Sequence, residues 1–160
     1  MLQSKIRMAC FVLMAACLAA CASAPAAAPQ VTQIVSTTSF GMCVGYCSTR
    51  LEISASQAVL VRESRGGRGA QNLPAQRFTA ALSESEWNEL TRLAANTRLE
   101  TLPPVIGCPD CADGGAESLS ITTAQHDPHS ITFDHGATIE QAQPLLDRVR
   151  ALRTRLTPAE

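Results

Sequence analysis

Leu51 and Ile53 alternate with Arg50, Glu52 and Ser54, a two-residue period that predicts a strand over Thr49 to Ser54 with one covered face. Val31 to Phe40 is rich in β-branched residues and reads as an earlier strand. Ala58 to Arg62 is a second apolar run just beyond a short turn, so Thr49 to Arg62 forms a hairpin. Arg77 to Leu82 predicts another strand. The period then changes. Trp87, Leu90, Leu93 and Ala94 recur at helical spacing, which predicts a helix to about Asn96. Ser83-Glu84-Ser85-Glu86 supplies its start: the Ser83 hydroxyl can accept the amide three places on, and Glu86 can reach back.

Leu102 to Gly115 is loaded with Pro, Gly and Asp and reads as a long loop. Ser118 to Thr123 and Ser130 to Asp134 are strands joined by a turn at Asp127-Pro128. Pro144 to Leu156 is a second helix with the stripe Leu145, Val149, Leu152 and Leu156. Its cations Arg148, Arg150, Arg153 and Arg155 suit a helix C-terminus and read as a solvated face. The order β-β-β-(β)-α-β-β-α predicts an α+β domain: a small antiparallel sheet with two helices packed on one face.

The first twenty residues stand apart. Lys5 and Arg7 precede an apolar run from Met8 to Leu18, then small residues lead to Cys21. That is the form of a secretory signal, too short to span a bilayer. The expected organisation is a signal at 1–20, an Ala/Ser/Pro tether at 21–30 and one domain at 31–160. Beyond residue 20 there are 11 basic and 14 acidic side chains, a net charge of −3. Nucleic-acid binding needs a concentrated basic face, which this balance opposes. Arg65-Gly66-Gly67-Arg68-Gly69 reads as a solvated loop, because no helix pattern follows to complete a phosphate cradle.

Leu18-Ala19-Ala20-Cys21 resembles the lipobox of bacterial lipoproteins. The resemblance implies cleavage before Cys21 and a diacylglycerol, often with a further acyl chain such as palmitate, on that residue. Each buried methylene contributes about 0.8 kcal/mol, so two or three chains would hold the protein on a membrane. Ala22 follows the cysteine and, by the same resemblance, points to the outer membrane, facing the periplasm.

Cys43, Cys47, Cys108 and Cys111 are the one constellation able to carry chemistry. Structural disulfides are the leading reading, since an exported chain meets an oxidising compartment. Four cysteines allow three pairings, and both segments are glycine- or proline-bearing turns able to close small rings. A structural zinc site of all four cysteines is a second reading. A third is thiol-disulfide redox at Cys108 and Cys111, whose Cys-Pro-Asp-Cys resembles the thioredoxin-like tetrapeptide. The Ala-Asp-Gly-Gly that follows opposes the helix such a nucleophile requires. His126, His129 and His135 surround the last hairpin with Asp127 and Asp134, and read as solvated polar residues.

Phe40-Gly41-Met42-Cys43-Val44-Gly45-Tyr46-Cys47, with Cys108 to Glu117 beyond it, resembles an uncharacterised domain of bacterial lipoproteins. That family carries a C-x-G-x-C turn and, in a subgroup, a CPDCADGGAE segment. The resemblance implies the same strand and helix order over Val31 to Leu156. It implies local bridges Cys43–Cys47 and Cys108–Cys111, because many relatives hold the first pair without the second. Ser48 stands where the family often has Pro, which leaves the register after Cys47 open. The family brings no activity.

No nucleophile elbow, P-loop or zinc-protease helix motif is present, so no catalytic residue or cofactor is expected. The leading expectation is a non-enzymatic module held by lipid on Cys21, binding an envelope protein or component. Its expected contact surface is the acidic, glycine-rich loop with Asp110, Asp113 and Glu117.

Overall fold

The computed structural model describes residues 30–64 and 73–158. The expected signal, Cys21, most of the expected tether and the glycine-rich loop at 65–69 lie outside the described residues. Seven strands form one sheet: β1 (Val31–Ser39), β2 (Tyr46–Ile53), β3 (Gln57–Ser64), β4 (Gln76–Ala81), β5 (Val105–Ile106), β6 (Ala116–Thr123) and β7 (His129–Asp134). Two α-helices, α1 (Glu84–Thr97) and α2 (Gln143–Leu156), also lie among the described residues. The spatial order is β4-β3-β2-β1-β6-β7-β5, and every pairing is antiparallel except β5 with β7. The class is α+β, as the pattern predicts.

Alternation decides which face is covered. Ile34 pairs with Ile53 on one side and Ile121 on the other. Leu51 pairs with Leu60, and Leu119 with Ile131. These residues are buried together with Leu90 and Ala94 of α1 and Leu145, Leu146, Val149 and Leu152 of α2. Residues of the opposite phase include Thr37 and Ser118, whose hydroxyls bond at 2.6 Å, and Ser120 and Ser130, bonded at 2.8 Å. Trp87 packs at the edge of the core, in line with its helical spacing.

Helix α1 starts where the polar signature places it. Ser83 Oγ accepts from the Glu86 amide at 3.2 Å, and the Ser83 amide donates to Glu86 Oε2 at 2.9 Å. At the other end, Gln141 Nε2 donates to the carbonyls of Thr97 and Arg98 at 2.6 and 3.0 Å. Those are carbonyls a helix end leaves without an intrahelical partner. Among the described residues, no helix is long and apolar enough to cross a membrane.

Three details differ from the sequence pattern. Strand β2 begins at Tyr46, before the alternation starts at Thr49, across a register shift between Tyr46 and Ser48. The loop after Leu102 contains β5: Val105 pairs with Thr132 and Ile106 with Phe133. A two-residue strand is too short to show a period, and its partner lies far along the chain.

Two arginines of α2 are the third difference: Arg148 and Arg155 are exposed, as a solvated face would have them, but for Arg150 and Arg153 that expectation is corrected. Arg150 and Arg153 turn inward onto Glu117 of β6, with side chains 24% and 12% exposed. Arg148 pairs with Glu89 at 2.7 Å and Arg155 with Glu86 at 2.8 Å, fastening α2 to α1. Ser36 of central β1 accepts a hydrogen bond from Arg153. Its small side chain stands in a row of buried Leu51 and Leu119, which leaves room for the guanidinium.

Candidate functional site

One end of the sheet gathers the groups that could meet a partner. Strand β1 ends there, β2 and β6 begin there, and β5 and β7 end there. Two bridged loops cap it.

The first loop joins β1 to β2. Cys43 and Cys47 are bridged, with Cα atoms 5.5 Å apart. Gly45 turns the chain at φ +93, a conformation that suits glycine. The Phe40 amide donates to the Cys47 carbonyl at 3.0 Å. Cys47 is buried, while Met42 and Val44 are 76% and 88% exposed.

The second loop joins β5 to β6. Cys108 and Cys111 are bridged, with Cα atoms 5.4 Å apart. Both cysteines are exposed, as are Asp110 and Asp113. Asp110, Ala112 and Asp113 all have positive φ, at 61, 52 and 59. Asp tolerates that region better than Ala, and each such residue costs of order 1–2 kcal/mol. Surrounding bonds hold the shape. The Cys108 amide donates to the Asp134 carboxylate at 3.3 Å, and the Asp110 and His135 amides both donate to the Gly115 carbonyl at 3.1 Å.

The loops touch. The Gly41 amide donates to Asp110 Oδ1 at 3.2 Å, and a Cβ at Gly41 would lie 3.1 Å from Asp110 Oδ2. Beneath them the Phe40 ring packs on Gly115 and meets His135 at 4.7 Å between centroids. The result is a braced tip that carries exposed Met42 and Val44 on one loop and exposed Asp110 and Asp113 on the other.

The residues expected to act together are partly separated. Asp110 and Asp113 stand at the tip, but Glu117 does not, and its place in the contact loop is corrected here. It is 1% exposed, on the inward phase of β6 with Leu119 and Ile121. Arg150 lies 2.7 Å from Oε2 and Arg153 3.2 Å from Oε1. Burial pushes the Glu117 carboxyl up. Hydrogen bonds and charge from Arg150, followed by Arg153, outweigh this and hold it below its ordinary value. The inward phase was visible in the alternation. Met42 and Val44 were missed, although two apolar residues inside a glycine-cysteine turn have little chance to reach a core.

The histidines also divide. His129 opens β7 and His135 follows its end, so about 20 Å of strand separates them. His126, Asp127 and His129 line a shallow cleft with Glu100 and Ile121 at the opposite end from the bridged loops. Among the described residues, no three His, Cys, Asp or Glu side chains are arranged to hold a metal ion. The four cysteines close within pairs instead of converging. After Cys111 comes a 3-10 turn, Cys111–Asp113, with no α-helix to stabilise a thiolate. No family model matches the chain, and no curated protein matches it at a significant level.

Proposed function

We propose that the protein is a lipid-anchored module of the bacterial envelope that binds a partner through its bridged end and performs no catalysis. The observation that supports this is the placement of the two bridged pairs together, at the end of the sheet remote from residue 30. Paired cysteines persist in exported proteins and are reduced in the cytosol. Strand β1 separates Val31 from Ser39 by about 26 Å at strand rise. A tether attached through Cys21 therefore enters at one end and presents the bridged loops at the other, away from the membrane. Ala22 after the anchor cysteine favours the periplasmic face of the outer membrane.

Intact mass of the protein from its own membranes tests this. The expected mature chain begins at Cys21 with two or three acyl chains, and Cys21→Ser moves it to the soluble fraction. A chain still beginning at Met1, with both cysteine pairs reduced, would overturn the proposal.

A second reading is thiol-disulfide exchange at Cys108 and Cys111, favoured by the exposure of both residues in a backbone with three positive φ angles. Equilibration against glutathione separates the two. A potential below about −300 mV marks a brace, and one near −120 to −210 mV marks a reactive pair.

A further inference from the structure

We infer that exposed Met42 and Val44, together with Asp110 and Asp113 of the adjoining loop, form the contact point for a different protein with an apolar pocket rimmed by Lys or Arg. The inference rests on the binding reading above and names the partner's chemistry.

Scattered exposed apolar residues are ordinary. These two differ in being held. Val44 lies inside the ring closed by Cys43 and Cys47, and Met42 lies between that ring and Gly41, whose amide is held by Asp110. A fixed loop has already lost the freedom that binding would otherwise remove. Exposed Asp110 and Asp113 approach Gly41, next to Met42, to within 3.1 and 3.4 Å of a Cβ position there. Exposed apolar side chains on a loop held against an anionic loop are complementary to an apolar pocket with a cationic rim.

Charge also discriminates among occupants. Anionic lipid headgroups would be repelled by the two carboxylates. A second copy docking tip to tip would bring like charges together. A different protein with the opposite rim meets neither penalty.

The test places a benzophenone amino acid at Val44, or at Arg77 on exposed strand β4 as control, in the full chain in its own cells. Under illumination, position 44 should yield one discrete protein adduct that position 77 does not. The joined peptide should carry apolar residues beside Lys or Arg. In an Asp110→Asn, Asp113→Asn background the adduct should fall roughly tenfold, since both Asn residues keep the left-handed backbone and lose the charge. No adduct, equal adducts from both positions, a dimer-mass or lipid adduct, or indifference to the Asn pair would each overturn the inference. The mature mass is read from the same cells. Lipidated protein without an adduct sinks this inference alone, and an adduct on unlipidated protein sinks the anchor alone.

Discussion

Arg150 grips Glu117 through three hydrogen bonds: Nε reaches both carboxylate oxygens at 3.2 and 3.1 Å, and Nη2 reaches Oε2 at 2.7 Å. Arg153 adds a fourth from its Nη1 at 3.2 Å. This carboxylate ties β6 to α2 beneath the tip. Removing one partner of a buried pair leaves uncompensated charge, at a cost of about 3–5 kcal/mol. Glu117→Gln should lose about 3 kcal/mol in urea unfolding, while Glu89→Ala, which breaks the exposed pair with Arg148, should lose under about 1 kcal/mol.

Acid should act through the same residue. The folded Glu117 carboxyl sits below its ordinary value, so its contribution is complete above the unfolded pKa of about 4.3. That contribution is lost as pH falls through the depressed folded value. Glu86, held down to about 2 by the Ser83 amide, then by Arg155 and the Ser83 hydroxyl, has the same sign at the helix start. Stability measured from pH 6 to pH 2 should fall below about pH 5 in the native chain. The Glu117→Gln chain should show a shallower slope.

Gly115 and Gly136 separate backbone strain from crowding. Both have positive φ, at 82 and 75. A Cβ at Gly115 would meet the Phe40 ring at 2.5 Å, and one at Gly136 would meet nothing within 4 Å. Gly136→Ala should cost about 1–2 kcal/mol from φ alone. Gly115→Ala should cost about 3 kcal/mol by adding the clash, and should shift the His135 ring resonances through Phe40.

The two bridges should differ in access. Cys108 and Cys111 are both exposed, whereas Cys47 is 2% exposed. Under graded thiol reductant, trapping with iodoacetamide and peptide mapping should label Cys108 and Cys111 first. Because the ring is small, Cys108→Ser with Cys111→Ser should cost no more than about 2 kcal/mol and leave the sheet intact. Simultaneous labelling of all four cysteines would contradict the exposure argument.

Much of the framework is legible from neighbours along the chain. The alternation of Leu51 and Ile53, the helical recurrence of Trp87, Leu90 and Ala94, and the Ser83–Glu86 cap involve residues within a few positions of one another. Such patterns express local geometry, so they locate elements and the covered face. The cysteine pairs were legible as turns able to close small rings.

Tertiary structure decided what depends on distant partners. Thr37 meets Ser118 across 81 residues, which makes β1 the centre of the sheet. Two-residue β5 exists only because β7 offers it an edge. Glu117 belongs by composition to an acidic loop, yet two arginines more than 30 residues away make it an interior charge. The approach of Asp110 to Gly41 likewise spans 69 residues and builds a single tip from two loops. Residue type and spacing determine which elements form. Long-range pairing determines which charges are buried and which apolar side chains stay in water, because burial is a property of the assembled neighbours.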